Sequence, residues 1–389
     1  MDAAQRLDAL LTPELAALKQ KSLYRLRRIL AGPQGPEIEV DGRRLLNFSS
    51  NDYLGLAAHP ALAEAAKRAL DEYGLGSGAA HLVTGHTRAH HALEEELAAF
   101  TGRPRALLFS SGYMANLGVA GALMGRGDRV LEDRLNHASL LDAGLLSGAK
   151  FARYDHVDVA ALRKEFKEAS GDTFVMTDGV FSMDGDIAPL PELVRATDEA
   201  GAFLMVDDAH GFGSLGKSGR GSLEYHGLGA SEVPIYMATL GKACGAFGAF
   251  VAGGEALVET LIQGARTYIY TTAAPAALAE ATRAALKLVE TEGWRRDHLR
   301  GLIARFRAGA QQLDLKLMDS VTAIQPLMVG GSADAVALSR KLQELGILVA
   351  AIRPPTVPEG TARLRITLTT AHTEAQVDRL LDVLSKVKP

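Results

Sequence analysis

Lys242 is the residue whose placement offers the most chemistry. In MATLGKACGAFG (237–248) it follows a strand-like run in a stretch crowded with Gly and Ala, so little bulk surrounds its stem. A lysine partly shielded from water, with a cation nearby, has a lowered pKa. It can bond to an aldehyde and later move protons. An ordinary loop lysine would have the same letters around it. Thr239, three residues earlier, can offer a hydroxyl to a phosphate. In FLMVDDAHGFG (203–213), Asp207 ends an apolar run, where an unpaired carboxylate is costly. It needs a partner. A local ion pair or a helix cap would serve, and so would the protonated nitrogen of a pyridine ring, which would turn that ring into an electron sink. His210 could bond to a ring hydroxyl or help hold Asp207.

Two further stretches fit the same chemistry. LLFSSGYMANLG (107–118) runs from a strand through Ser110, Ser111 and Gly112 into a helix starting near Tyr113, and N–H groups at such a start attract anions. His137, in DRLNHASLLDAG (133–144), could lay its ring against a planar ligand or simply open the next helix. Together these residues call for a planar cofactor with a phosphate, an aldehyde and a protonatable ring nitrogen. GLGSGAAHLVTG (74–85) lacks a preceding strand and the spacing of a dinucleotide fingerprint. His86, His90, His91 and Glu94 lack HExxH spacing, so a helix face with satisfied polar groups is expected there and no metal site.

Such residues need a scaffold, and the text supplies one. Between about 105 and 253, seven short apolar runs follow one another: ALLFSS, RVLED, KFARYD, TFVMTDG, AFLMVDD, PIYMATLG and AFVAGG. Helical segments separate most of them, including 158–169 and Leu190–Ala200. This alternation implies an α/β fold with a doubly wound, mainly parallel sheet, and ligands gather at the carboxyl ends of such strands. The last two runs are joined too tightly for a helix, so one antiparallel strand is expected. The first 30 residues show helical spacing and finish in Arg25, Arg27 and Arg28, which read as a solvated helix end. A helical stretch at 275–311 leads into strand-like runs at 323–331, 347–355 and 362–370. A last helix opens on a capping box, Thr373 with Gln376. The expected organisation is an N-terminal helical arm (1–45), a large domain (46–274) and a small α+β domain (275–389).

Composition narrows the partners. A net charge of -4 gives no reason to expect nucleic acid. Cys244 is the only cysteine, which excludes an internal disulfide and a multi-cysteine zinc site. Asp2, Arg6 and Asp8 interrupt the amino-terminal apolar run, so no secretory signal is expected. No apolar stretch reaches the length of a membrane span. A reducing, cytoplasmic setting follows as the expectation.

These residues also match a family. NFSSNDYLGL (47–56), the glycine turn at 76–78, FSMDGD (181–186), VDDAHGFG (206–213), LGK (240–242) and ARLRI (362–366) resemble the α-oxoamine synthases, from about residue 18 to 384. These are fold-type-I pyridoxal 5'-phosphate (PLP) enzymes that condense an amino acid with an acyl thioester and release carbon dioxide. The resemblance implies an aminotransferase-like fold with a seven-stranded sheet. It puts the cofactor lysine on Lys242, the pyridinium aspartate on Asp207 and the stacking histidine on His137. Ser182, His210 and Thr239 fall where the cofactor's hydroxyl or phosphate is held, and Gly112 and Tyr113 on the phosphate turn. Arg365, helped by Asn51, matches the clamp on the amino-acid carboxylate, while Arg25 and Thr356 match acyl contacts. Thr271 and Thr272 fall where the family reaches the partner's phosphate in a homodimer. HALEEELAAFTG (91–102) and AIRPPTVPEGTARLR (351–365) are similar to members that join L-alanine to a pimeloyl thioester, carried by CoA or a carrier protein, in biotin synthesis. A sibling using glycine or serine, or a non-catalytic partner subunit, are the alternatives; Lys242, Asp207 and His137 together speak against the second. The chain departs from the family at Ala79, Ala80 and His81, where Gly-Ser and a basic residue are usual. It departs again at Asp178, where the shorter carboxylate replaces Glu and calls for a bridging water or a shifted strand.

Overall fold

The computed structural model describes residues 1–166 and 170–387, which form two compact units. The larger comprises Asn51–Ser182 and Asp186–Leu299. Its seven strands are β1 (Arg105–Phe109), β2 (Arg129–Asp133), β3 (Lys150–Tyr154), β4 (Thr173–Asp178), β5 (Phe203–Asp207), β6 (Ile235–Thr239) and β7 (Ala249–Gly253). Each coincides with one of the seven apolar runs. They line up in the order β1-β7-β6-β5-β4-β2-β3, and β7 is antiparallel to both of its neighbours. The pairs β6-β5, β5-β4, β4-β2 and β2-β3 are parallel. Val130, Leu131, Val175, Met176, Met205 and Val206 are almost wholly buried. A parallel sheet is covered on both faces, which is why its strands read as unbroken apolar runs rather than alternating ones.

Helix Leu190–Ala200 forms as expected, ending at Gly201 in the left-handed region, φ 62°. The expected helix at 158–169 forms over Val159–Glu165, and residues 167–169 lie outside the described residues. The expected helix at 275–311 is two helices, Ala276–Thr291 and Trp294–Gln312. Gly293 interrupts it, and Arg296 donates to the buried Val289 carbonyl in the last turn of the first, which has no intrahelical donor.

The second unit comprises Met1–Ser50, Met183–Gly185 and Arg300–Pro389. It contains a three-stranded antiparallel sheet in the order Ile324–Gly330, Ala362–Thr367, Ala350–Ile352. A second sheet joins Glu37–Val40 and Arg43–Asn47 to Ile347–Leu348. The final helix, Glu374–Lys386, carries the expected capping box at Thr373 and Gln376. The division at Leu299/Arg300 lies beyond the expected boundary at 274/275, because helix Ala276–Thr291 packs on Pro60–Tyr73 and Arg88–Thr101 of the larger unit.

The first helix, Ala3–Gln20, stops before the basic cluster. Ser22 adopts φ 57°, Leu23 N–H donates to Leu18 O, and Arg25, Arg27 and Arg28 lie exposed in a non-helical segment. The cluster is therefore no helix end.

One half-buried ion triad of the larger unit makes stability depend on pH. His156 donates to Asp133 (2.9 Å) and Asp186 (3.0 Å). Burial alone would lower its pKa from 6.5; the two carboxylates outweigh burial and push it up to about 10. A raised folded-state pKa gives stability that is complete below 6.5 and lost as pH rises through 10. Stability is expected to fall across that window by roughly 2 kcal/mol, below the full linkage value because water reaches part of the ring. Urea midpoints should show this, with His156→Gln flattening the slope. Equal slopes in both proteins would mean another group titrates.

Candidate active site

The carboxyl ends of the parallel strands carry the polar residues. β5 ends in Asp207 and β4 in Asp178, which are register partners, and Asp207 pairs with Met237 of β6 on its other side. β6 ends in Thr239 and leads to Lys242. The turn beyond Lys242 requires Gly245: its φ is 62°, and a Cβ there would lie 2.3 Å from Ala57 N. β1 passes through Ser110 into Ser111, whose hydroxyl accepts from Met114 N–H and caps helix Gly112–Leu123. His137 caps helix Ala138–Leu146, so it does open a helix as well as face the site.

One pocket of about 150 Å³ brings these residues together. Gly112, Tyr113, His137, Asp207, His210, Thr239 and Lys242, all expected from the sequence, line it with Asp178 and Ser139. Ser182, Asn51, Thr271 and Thr272 belong to the same unit but not to that lining. Arg25, Thr356 and Arg365 belong to the other unit, where Arg365 is buried and donates to Thr367 Oγ1 at 3.1 Å.

Asp207 is buried, and its carboxylate accepts from Asn116 Nδ2 (2.8 Å) and Ala209 N–H (3.0 Å). Asn116 also donates to Ser139 Oγ at 2.9 Å, and Ser139 Oγ lies 2.7 Å from His137 Nδ1. Burial holds the His137 pKa below its usual value, helped by Lys242 and opposed by Asp207. Asp178 accepts directly from His137 N–H at 2.6 Å, so this contact of the shorter side chain needs no bridging water. Burial pushes its pKa well up, and the charge of Asp207 adds to this against Lys242 and the His137 N–H. Behind them Asp208, fully buried and bonded by Ser222 N–H and Tyr236, is pushed up to about 7 by burial. Tyr53 Oη is 2.5 Å from His210 Nδ1. The Thr239 hydroxyl donates to Gly248 O (2.9 Å) and accepts from Gly241 N–H (3.3 Å).

Asn116 and Ser139 were not singled out from the sequence. Asn116 is the one strongly polar residue in GYMANLGVAGAL, four positions after Gly112, and an amide on an otherwise apolar helix is the signal that could have flagged it. The histidine cluster resolves into ordinary bonding for two of its members. His90 accepts from Thr87 N–H and donates to Ala274 O at 2.7 Å, and Glu94 accepts from Leu108 N–H at 3.0 Å. His81 stacks on Tyr268 with ring centroids 5.1 Å apart, and burial lowers its pKa to about 3, so it brings no cation where the family has a basic residue. Cys244 is wholly buried, as a packing residue.

A seven-stranded sheet of this order, with a lysine, an aspartate and a helix start at its strand ends, defines the fold-type-I PLP class. The model of the aminotransferase class I and II family matches residues 43–384. An 8-amino-7-oxononanoate synthase of Thioalkalivibrio sulfidiphilus is 64% identical over 378 residues, covering 97% of this chain and 96% of its own. Among solved structures, a serine palmitoyltransferase from S. paucimobilis with bound PLP–myriocin superposes with a TM-score of 0.93 at 28% identity, covering 100% of this chain and 98% of its own. An 8-amino-7-oxononanoate synthase from Francisella tularensis gives 0.78 at 35%, covering 88% and 97%. The chain belongs to the 8-amino-7-oxononanoate synthases, within the class I and II aminotransferases.

Proposed function

We propose that this chain condenses L-alanine with a pimeloyl thioester, carried by CoA or a carrier protein, to form 8-amino-7-oxononanoate, carbon dioxide and free thiol in biotin biosynthesis. The observation that carries this reading is the 64% identity along nearly the whole chain to a synthase of that name, against 28% to the sibling serine palmitoyltransferase. The cofactor is PLP, which supplies an aldehyde that takes up amines and a ring that withdraws electrons from the carbon they carry. The pocket suits it: the buried Asp207 carboxylate accepts from the neutral donors Asn116 and Ala209 N–H, and a ring N–H⁺ would be a cationic partner for it.

The chain's own residues then divide the work. Lys242 Nζ would hold the cofactor's aldehyde, and the same amine would take the alpha proton of alanine and later return one to the product. Asp207 keeps the ring nitrogen protonated. His137, which lines the pocket, would help hold the ring and would donate to the carbonyl formed from the thioester. First-turn N–H groups of Gly112 and Tyr113 lack intrahelical acceptors and hold the phosphate. Thr239 joins them by turning its hydroxyl from Gly248, while Ser182 and His210 hold the ring hydroxyl or the phosphate. The family resemblance assigns Arg365 to the alanine carboxylate as a bidentate partner, Asn51 to the same substrate, and Arg25 and Thr356 to the acyl substrate.

Mass spectrometry of the product decides the reading. Alanine with pimeloyl thioester should give 8-amino-7-oxononanoate; faster condensation of glycine or serine with another acyl thioester would assign the sibling activity instead. The setting we infer is cytoplasmic, supported by a single buried cysteine. Among the described residues no helix is long and apolar enough to cross a membrane.

The working unit in this reading is a two-fold homodimer in which Thr271 and Thr272 complete the partner's phosphate site. Mixing a Lys242→Ala protomer with a Thr271→Ala, Thr272→Ala protomer tests it. Half of randomly paired dimers are mixed and each has one intact site, so about a quarter of wild-type activity should return. Activity no greater than the sum of the parents, with exchange verified, would show that the threonines serve their own chain.

A further inference from the structure

We propose that Ser139, seated by Asn116, is a positioning residue that fixes the His137 ring with its hydrogen on Nε2. This rests on the reading that His137 and Asp207 flank the cofactor. Asp207 sets the direction of the bonds. Its carboxylate lies 2.8 Å from Asn116 Nδ2, and a carboxylate accepts, so the amide must present its NH₂ side there. The same NH₂ group lies 2.9 Å from Ser139 Oγ and donates to it. Asn116 is fully buried and its Oδ1 has no partner. An amide that tolerates a bare oxygen, a cost of about 1–3 kcal/mol, is held in that orientation by what its nitrogen does.

The serine hydroxyl has one hydrogen. It cannot go to Asn116, which is itself a donor, and His137 Nδ1 lies 2.7 Å away on the other side. Ser139 N–H also points at Nδ1, at 3.3 Å. Two donors from one residue therefore converge on Nδ1, which must accept, and the ring hydrogen resides on Nε2. The result is a continuous chain from Asp207 through Asn116 and Ser139 to His137. The ring then offers the pocket an N–H donor, the form needed to hold a carbonyl oxygen. With the hydrogen on Nδ1 instead, it would offer only a lone pair.

Nitrogen-15 magnetic resonance of histidine-labelled holoenzyme reads the tautomer directly, with the His137 signals identified by their loss in His137→Gln. We expect Nε2 protonated and Nδ1 bare in the wild type. Hydrogen on Nδ1 in the wild type would overturn the proposal with no variant needed. Ser139→Ala should lose the single tautomer and lower kcat about tenfold, leaving KM for alanine within about twofold. Ser139→Thr, which keeps the hydroxyl, should restore both. An unchanged tautomer in Ser139→Ala, or a kcat loss that Ser139→Thr shares, would remove Ser139 from the role. The resonance readout does not depend on turnover, so a wild type that fails to condense alanine would refute the proposed reaction and leave this assignment to its own spectrum.

Discussion

Lys242→Ala is expected to lower turnover about 10³-fold or more, the largest effect of any single substitution in this chain. The one side chain is asked to anchor the cofactor, to take the alpha proton and to give it back, and a positioned acid–base group alone contributes roughly 10²- to 10⁴-fold. Alanine should leave the fold intact, since Lys242 lies in a turn after β6 rather than in the packed sheet. The purified wild-type protein should be yellow, and borohydride should fix the cofactor to the peptide containing Lys242. A label on any other lysine, or a variant retaining a tenth of its activity, would reassign the anchor.

Asp207→Asn should retain cofactor and lose about 100-fold in turnover. Opposite charges about 4 Å apart at an effective dielectric of about 20 interact by about 4 kcal/mol. An amide keeps part of the hydrogen bonding and none of the charge, so much of that energy goes, and a loss of this size is usual when a charge-stabilising group is removed from a site. The neighbouring carboxyl modifies the outcome. Burial raises the Asp178 pKa well above the usual carboxylate range, and the charge of Asp207 raises it next. In Asp207→Asn the second cause vanishes, so Asp178 should ionise more readily and supply a weak substitute. The double variant Asp207→Asn, Asp178→Asn should then be slower than the single one at high pH. Near-normal turnover by Asp207→Asn would refute the electron-sink role.

Much of this architecture can be read from residue types and spacing. Strands of a covered parallel sheet are apolar throughout, so each announces itself as a run, and the polar residue that ends a run sits where ligands bind. That reasoning, joined to the helix starts after β1 and β2 and to the family resemblance, grouped Asp207, Lys242, His137, Thr239 and Gly112, and all of them line one pocket. Local signals served helix ends equally well where a residue acts on its own turn, as at Thr373 and Gln376. The same local logic misread Arg25 to Arg28, because the turn at Ser22 ends the first helix sooner than its periodicity suggests.

What spacing could not supply is which distant side chains meet. Asn116 and Asp207 are far apart in the chain, and only the tertiary packing, which sets helix Gly112–Leu123 against β6 and β7 next to β5 in the sheet, brings them to 2.8 Å. The Asp178–Asp207 register is of the same kind: two strand ends become neighbours through pairing across the sheet, and only then do their charges oppose each other. The residue types that could do the chemistry are written in the sequence. Their protonation and orientation come from the tertiary structure, because a hydrogen bond depends on a few tenths of an ångström and burial depends on every element packed around it.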